Sequence, residues 1–592
     1  MCGIVGAIGN LDYKTYLTNG LKKLDYRGYD SAGLAFWNKG KISLYRAVGS
    51  VENLASIVPD GHAGTAGIAH TRWATHGGVT VENAHPQRSW DKKVYLVHNG
   101  VIDNYKELKE WLTGMGCQFR SGTDTEVVAS VIAYFLQEGE TPLDSIKKTI
   151  EKLDGSYALA ILFTGQEGLY FAKNKSPLVL GRGDTRINCL ASDYAPILDY
   201  CSNFATLEDG TYGCMTENSI VAYRNGKNLA LRFTSKDKED YVYDLAGFPH
   251  FMMKEIHEGA HVVRKNVETY FDRSKQAYLF DPKLLQSLKA SDEIVFLGCG
   301  SSHYSSEAAA AYFNRHGLRA TSYIASEWIH GVYPHLKNPY YVLISQSGET
   351  ADLISCLDMM EKGAKTLGIV NAKDSTIARR SSHVLYIGAG LEVAVASTKS
   401  FLGQMALMML LCGAVNGDTS VPESLLTAAD SVDDVVARSQ AIDELAEKIV
   451  EVHDAFFVGR GMDFFASEES SLKLKEISYV HSEAYPGGEL KHGPIALIEE
   501  GTPVFAFVGN PAISKQIRSN VEELKARGAV AYIVSAETCA REGDAFVYRY
   551  VDGDFAPYPE VAFGQLLSYY LSLRRGLNVD KPRNLAKSVT VN

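Results

Sequence analysis

The segment EIVFLGCGSSHYSSEAAAAYF, starting at Glu293, runs an apolar stretch into a glycine turn and then into a helix-forming stretch. The same order returns from Asp454 as DAFFVGRGMDFFASEESSLKLKEI. A second pair has the same form: YYVLISQSGETADLISCLDMMEKG from Tyr340 and TPVFAFVGNPAISKQIRSNVEELKARG from Thr502. Gly298 and Gly459, Gly300 and Gly461, Glu307 and Glu468, and Gly348 and Gly509 are each separated by 161 residues. Four coincidences at one spacing, all in strand–turn–helix context, indicate a duplicated α/β lobe. The period is too long for a solenoid. Two doubly wound parallel-sheet lobes are expected, with sites near their strand ends.

The first 235 residues read differently. Short β-type runs (CGIVGAIG, SAGLAFW, KVYLVHNG, YALAILF) alternate with glycine and polar turns, and one clear helix, EVVASVIAYFLQE, sits among them. That pattern predicts stacked antiparallel sheets with helical layers. FTSKDKEDYVYD, from Phe233, lacks a hydrophobic period and reads as a linker. A chain of 592 residues is too long for one core and should divide into about three domains. The expected division is 2–235, a linker at 236–255, lobes at 256–425 and 426–576, and a tail at 577–592.

The net charge of −11 argues against a general nucleic-acid binder. FLGQMALMMLLCGAV, the densest apolar run, is shorter than a membrane span and contains Gln404, so a buried helix is expected, with no membrane partner. Nine cysteines without CxxC spacing fit a reducing, cytoplasmic setting. No metal, flavin or nucleotide cofactor is implied.

Cys2 follows the initiator methionine directly. A thiol reacts as its thiolate, and removal of Met1 would give Cys2 an α-amine able to serve as its base. Taken alone, the residue reads sooner as a buried thiol. RGYDSAG (27–33), HTRWATHG (70–77), HNGVIDNY (98–105) and GTDTE (122–126) change the weighing; in the last, Asp124 or Thr125 could also be only a helix cap. These motifs, in this order, resemble the class II glutamine amidotransferase domain. The resemblance implies an N-terminal-nucleophile hydrolase fold, an αββα sandwich. It implies Cys2 as nucleophile toward glutamine, and Asn99 with the Gly100 N–H as oxyanion hole. Arg72 and Asp124 would hold the amino-acid end, Thr75 and His76 would line the pocket, and Trp73 would gate ammonia.

SQSGET (345–350), at the start of a helix, suits a phosphate. With CGSS (299–302) and VASTKSF (395–401) it resembles the SIS domain, which binds phosphosugars. KLKEISYVHSEAYPGGELKHGP (473–494) and the tail PRNLAKSVTVN (582–592) extend the match. The whole chain resembles the isomerising glutamine–fructose-6-phosphate aminotransferases. That resemblance implies glutamine and fructose 6-phosphate as substrates and glucosamine 6-phosphate as product, feeding amino-sugar synthesis. It also implies a homodimer. Ser301, Ser302, Ser345, Gln346, Ser347, Thr350, Val395, Ser397 and Ala586 would hold the sugar phosphate. Lys587 would form the imine, Glu476 would move a proton between C1 and C2, and Lys473, on the same helix face, would steady it. His492 would assist ring opening from the neighbouring subunit.

The chain departs from the family pattern at Ser301, where threonine is usual, in the glycines of AYPGGEL, and at Asn592, where glutamate is usual. Two rival readings stand beside this one: an amidotransferase for another phosphosugar, and a phosphosugar sensor without chemistry. A sensor has no need for Cys2, Asn99, Glu476 and Lys587 together.

Overall fold

The computed structural model describes residues 2–590 apart from 25–27, 29, 39, 61–62, 74–76, 237–240, 242 and 331–336. Two compact units result: Met1–Tyr243 with Ala586–Asn592, and Asp244–Leu585.

The first unit holds two seven-stranded antiparallel sheets. Strand β1 (Gly3–Asp12) is central in one; β2 (Ser31–Asn38) and β3 (Ala63–Arg72) lie to one side of it, with β3 adjacent. In the other, β4 (Val94–Ile102) pairs with β5 (Gly155–Phe163). Ile4, Ile8 and Ile68 of the first sheet meet Val97, Ala158, Ala160 and Phe171 of the second in one core. The outer faces are covered by helices. Helix α1 (Tyr13–Lys22) lies on the first sheet, burying Tyr16 and Leu17, and α2 (Asp124–Gln137) on the second, burying Val128 and Ile132. Sandwiched strands have no solvent face, which is why β5, GSYALAILF, is apolar rather than alternating.

The second unit is the duplicated α/β half. It opens with a long helix, α3 (Phe251–Tyr270). Each lobe then has a five-stranded, all-parallel sheet in the same order. The first centres on β6 (Glu293–Gly298) and β7 (Pro339–Ser345), and the second on β8 (Asp454–Gly459) and β9 (Pro503–Val508). Helix α4 (Ser301–Arg315) follows β6, α5 (Ala351–Met359) follows β7, and α6 (Lys399–Asn416) and α7 (Val421–Ala437) close the first half. Helix α8 (Met462–Ser478) follows β8, and α9 (Pro557–Arg574) ends the second lobe.

The repeated glycines have physical reasons. Gly300 and Gly461 precede α4 and α8 with φ of 55° and 57°, where a side chain is strained. A Cβ on Gly298 would lie 2.7 Å from the Ser302 carbonyl carbon, and one on Gly459 2.4 Å from that of Asp463, so each strand end admits its helix only without a side chain.

Helix α6 is buried nearly all round, as a helix without a polar face must be. Its Gln404 is satisfied: Nε2 donates to Ser302 Oγ at 3.0 Å, and Oε1 accepts from Ser305 Oγ at 2.9 Å. Met405 and Leu407 belong to the same core as Phe457, Phe505 and Phe563, so one core serves both lobes. The division expected at 425/426 falls inside α7, and the linker expected to reach 255 ends inside α3. No helix among the described residues is long and apolar enough to cross a membrane.

Candidate active site

In the first unit, the register pairs Gly3 with Thr71, which sets Cys2 beside the end of β3. Cys2 Sγ accepts from the Trp73 N–H at 3.3 Å and lies 3.5 Å from the Trp73 carbonyl oxygen. Burial pushes the Cys2 thiol up from its ordinary value, opposed by the chain's amino terminus, the Trp73 N–H and the Arg72 guanidinium.

Asn99, on β4, donates from Nδ2 to the Cys2 carbonyl at 2.9 Å. Its amide is fixed from the other side. His70 Nε2 lies 3.0 Å from Asn99 Oδ1 and 2.9 Å from the His98 carbonyl, two acceptors that require a hydrogen on that nitrogen. Burial drives the His70 pKa down to about 3, so the ring is neutral. Gly100 has a φ of 134°, and a Cβ there would lie 2.0 Å from the Ser156 carbonyl oxygen. The oxyanion-hole candidates therefore stand on a strand position open only to glycine, beside the nucleophile candidate.

Arg72 is buried and donates to the Gly77 and Gly78 carbonyls, both at 3.3 Å. Asn83 ties this turn to the GTDTE motif, donating to the Gly78 carbonyl at 2.9 Å and accepting from the Gly122 N–H at 2.9 Å. Asp124 Oδ2 accepts from Ile102 N at 3.0 Å and lies 3.8 Å from His98 Nδ1. Neither Asp124 nor Thr125 caps α2. Thr123 does, its hydroxyl accepting from Glu126 N, while Glu126 reaches back to Arg120 N and Ser121 N. Asp124 is thus relieved of capping. Thr75 and His76 lie outside the described residues. His70 and His98 open two of the motifs, but only the fold shows them orienting Asn99 and meeting Asp124.

In the second unit, Lys473 is fully buried on α8. Its Nζ lies 2.5 Å from Glu476 Oε2, 3.3 Å from Glu469 Oε1 and 3.0 Å from Ser301 Oγ, which itself donates to Glu469 Oε1 at 3.0 Å. The carboxylates and short bonds outweigh burial and raise the Lys473 pKa, so it is a cation and a hydrogen-bond donor, not a base. Burial raises Glu469 to about 7 against the pull of Lys473. Glu469 belongs to no recognisable motif, though the 469, 473, 476 spacing places all three on one helix face. Ser301 comes from the other lobe, so the cluster joins α4 to α8.

The SQSGET turn is folded on itself. Ser345 Oγ accepts from Gly348 N at 2.9 Å and meets Thr350 Oγ1 at 2.8 Å, while Ser347 Oγ accepts from Glu349 N at 3.2 Å. Gln346 follows β7 at the same strand end. Ser302 bonds Gln404 as above. Val395 N donates to the Asp580 carbonyl at 3.0 Å, and Ser397 Oγ lies 3.3 Å from Ser400 Oγ. His492 is exposed at the end of a 3-10 turn, Glu489–His492. Ala586 and Lys587 group with the first unit, and Lys473 and Glu476 with the second.

Comparison with known proteins matches this division. The SIS domain family matches residues 287–414 and 448–543, and the glutamine amidotransferase domain family matches 70–199. Proteins named glutamine–fructose-6-phosphate aminotransferase [isomerizing] from Listeria monocytogenes and Bacillus subtilis are each 39% identical over 100% of both chains. The chain belongs to the isomerising glutamine–fructose-6-phosphate aminotransferase family. One from Staphylococcus aureus strain N315 is likewise 39% identical over full length. The solved C-terminal domain of the glucosamine–fructose-6-phosphate aminotransferase from Francisella tularensis matches with a TM-score of 0.54 and 28% identity, covering 57% of this chain and 100% of that one. Asn99 falls within the stretch matched by the glutamine amidotransferase domain family, and Ser301 and Lys473 fall within the two stretches matched by the SIS domain family.

Proposed function

We propose that this chain converts glutamine and fructose 6-phosphate to glutamate and glucosamine 6-phosphate. The observation that carries the reading is Asn99, locked by His70 and hydrogen-bonded at Cys2, because a nucleophile with a pre-set donor is what amide cleavage needs.

With Met1 removed, the Cys2 amine takes the thiol proton and Sγ attacks the glutamine side-chain amide. Asn99 Nδ2–H and Gly100 N–H stabilise the oxyanion. Ammonia leaves as the thioester forms, and water then releases glutamate. Arg72 is suited to the substrate α-carboxylate, and Asp124 to its α-ammonium. Thr75 and His76 complete the pocket, and Trp73 gates ammonia.

In the SIS half, the hydroxyls and N–H groups of Ser345, Gln346, Ser347 and Thr350, with Ser301 and Ser302, take the phosphosugar. The Val395–Ser397 loop and Ala586 complete its site. His492 of a second subunit in a homodimer opens the ring. Lys587 forms an imine at C2 with loss of water, and ammonia replaces the lysine. Glu476 then moves a proton from C1 to C2, turning ketose imine into amino-aldose. Lys473, held positive, supports the charge that develops on the sugar oxygens or on Glu476. The water lost at C2 balances the water consumed by the thioester. Ammonia that met bulk water would be protonated and lost, so transfer without release is part of the proposal.

The test is incubation with both substrates and identification of the product. Glucosamine 6-phosphate formed in step with glutamate supports the reading. Glutamine hydrolysis without it breaks the acceptor assignment, and phosphosugar binding without any turnover supports the sensor.

A further inference from the structure

The chain between the last helix and Lys587 is fastened at three points. Asn578 Oδ1 accepts from Asp580 N at 3.1 Å and from Lys581 N at 3.0 Å, folding a tight turn. The Asp580 carboxylate then spans the start of α3, accepting from Phe251 N at 3.0 Å on one oxygen and from Met252 N at 2.8 Å on the other. The ordinary cap position of that helix, His250, supplies no side-chain bond, its Nδ1 being 2.8 Å from Tyr569 OH. A carboxylate from over three hundred residues away therefore satisfies the helix's first N–H groups and suits its positive end. At the third point, Arg583 N donates to Tyr479 OH at 2.7 Å and its guanidinium lies 4.1 Å from the Tyr479 ring centre. Tyr479 directly follows α8, the helix of Lys473 and Glu476.

The same residue touches the sugar loop. The Asp580 carbonyl accepts from Val395 N at 3.0 Å. From the other side, Glu255 on α3 accepts from Val393 N at 2.5 Å and Ala394 N at 3.2 Å. One short segment thus spans the loop at 393–395, the first turns of α3 and the end of α8.

We propose that Asp580 is a positioning residue: its clamp on α3 holds the Val395 loop and the segment that precedes Lys587. The inference rests on the reading of Lys587 as the imine-forming lysine. Freeing the segment leaves both chemical groups intact but misplaced, and a small misplacement of a reacting group costs on the order of tenfold to a hundredfold.

The test uses the full chain as wild type, Asp580→Ala and Asp580→Asn, treated with borohydride in the presence of fructose 6-phosphate. Sugar trapped at Lys587 is located by peptide mass, and KM and kcat are measured separately. In Asp580→Ala, KM for fructose 6-phosphate should rise and the trapped fraction fall on the order of tenfold. Asp580→Asn, which keeps one of two acceptor oxygens, should fall between. Glutamine hydrolysis, chemistry of the other unit, should stay within about twofold of wild type. Should the alanine variant not fold, the asparagine variant carries the test alone, since a merely structural role leaves its KM and trapped fraction unchanged. Wild-type KM and trapping in the variants overturn the proposal. No trapping at Lys587 in the wild type overturns the reading of the lysine itself, and the two failures are told apart by the wild-type sample.

Discussion

Replacing Lys473 by methionine removes the cation from between Glu469, Glu476 and Ser301 while keeping the side chain's bulk. Lys473 and Glu469 are both fully buried, so the change leaves a buried carboxyl without its partner. Breaking a buried pair on one side costs about 3–5 kcal/mol. The cost carries a pH signature. Glu469 already stands near 7 in the folded chain because burial raises it, and Lys473 is the main opposing influence. A carboxyl with a raised folded pKa keeps a proton that the unfolded chain has lost, so stability falls with rising pH from its unfolded value up to its folded one. In wild type that fall ends near pH 7. In Lys473→Met the folded pKa moves higher and the fall continues, at about 1.4 kcal/mol per pH unit at most. The deficit relative to wild type should therefore grow by roughly 1 kcal/mol between pH 7 and pH 8. Because the chain has two units, a single melting temperature is a poor reporter. Hydrogen exchange of peptides from 462–478, corrected for intrinsic rates, reads the helix itself. Protection there should drop by about two to four orders of magnitude, more at pH 8 than at pH 7. Adding Glu469→Gln should restore much of it. A loss below tenfold, or one that shrinks as pH rises, refutes the reasoning.

Trp73→Ala should leave glutamine hydrolysis intact and lower aminated sugar formed per glutamine consumed several-fold; unchanged coupling removes the gate. Gly100→Ala places a Cβ 2.0 Å from the Ser156 carbonyl oxygen. It should cut glutamine turnover by about a hundredfold or more while fructose 6-phosphate isomerisation persists, and near-normal turnover would argue against this oxyanion hole. Burial raises both Glu307 and Glu468, and the charge of Glu307 adds to this at Glu468, which is pushed up to about 8. Stability from this pair is full below the usual glutamate range and is lost as pH rises toward 8. Glu468→Gln should remove that slope, leaving it about 1 kcal/mol more stable than wild type at pH 8.5 after discounting for partial exposure. Equal changes in hydrogen-exchange protection of peptides from 462–478 in both proteins between pH 5.5 and pH 8.5, corrected for intrinsic rates, would contradict the assignment.

The duplicated half was legible because the repeat writes its own geometry. Gly298 with Gly459 and Gly300 with Gly461 recur since each lobe needs the same close helix entry and the same positive φ. Glu307 and Glu468 recur by the same spacing, but only the packing of α4 on α8 reveals that the two acids act on each other. The boundary between lobes was not legible. Its connecting helices feed a core common to both, so no polar linker marks the join. In the first unit, motif order pointed to Cys2, Asn99 and Asp124. The supports, His70 under Asn99 and Thr123 as the true cap, depend on contacts between strands and turns that spacing cannot show. Glu469 and Asp580 are of the same kind. Each is one acid among many in the sequence, and each acquires a role only from what folds against it.

In the proposed reaction, nitrogen released at Cys2 reaches the sugar without passing through solvent. Glutamine labelled with nitrogen-15 in its side-chain amide, supplied with fructose 6-phosphate in a large excess of unlabelled ammonium, tests it in one mass spectrum. Glucosamine 6-phosphate should carry the heavy nitrogen at nearly full enrichment. Product diluted to the label content of the bulk ammonium, or labelled ammonium accumulating with no amino sugar, would contradict it.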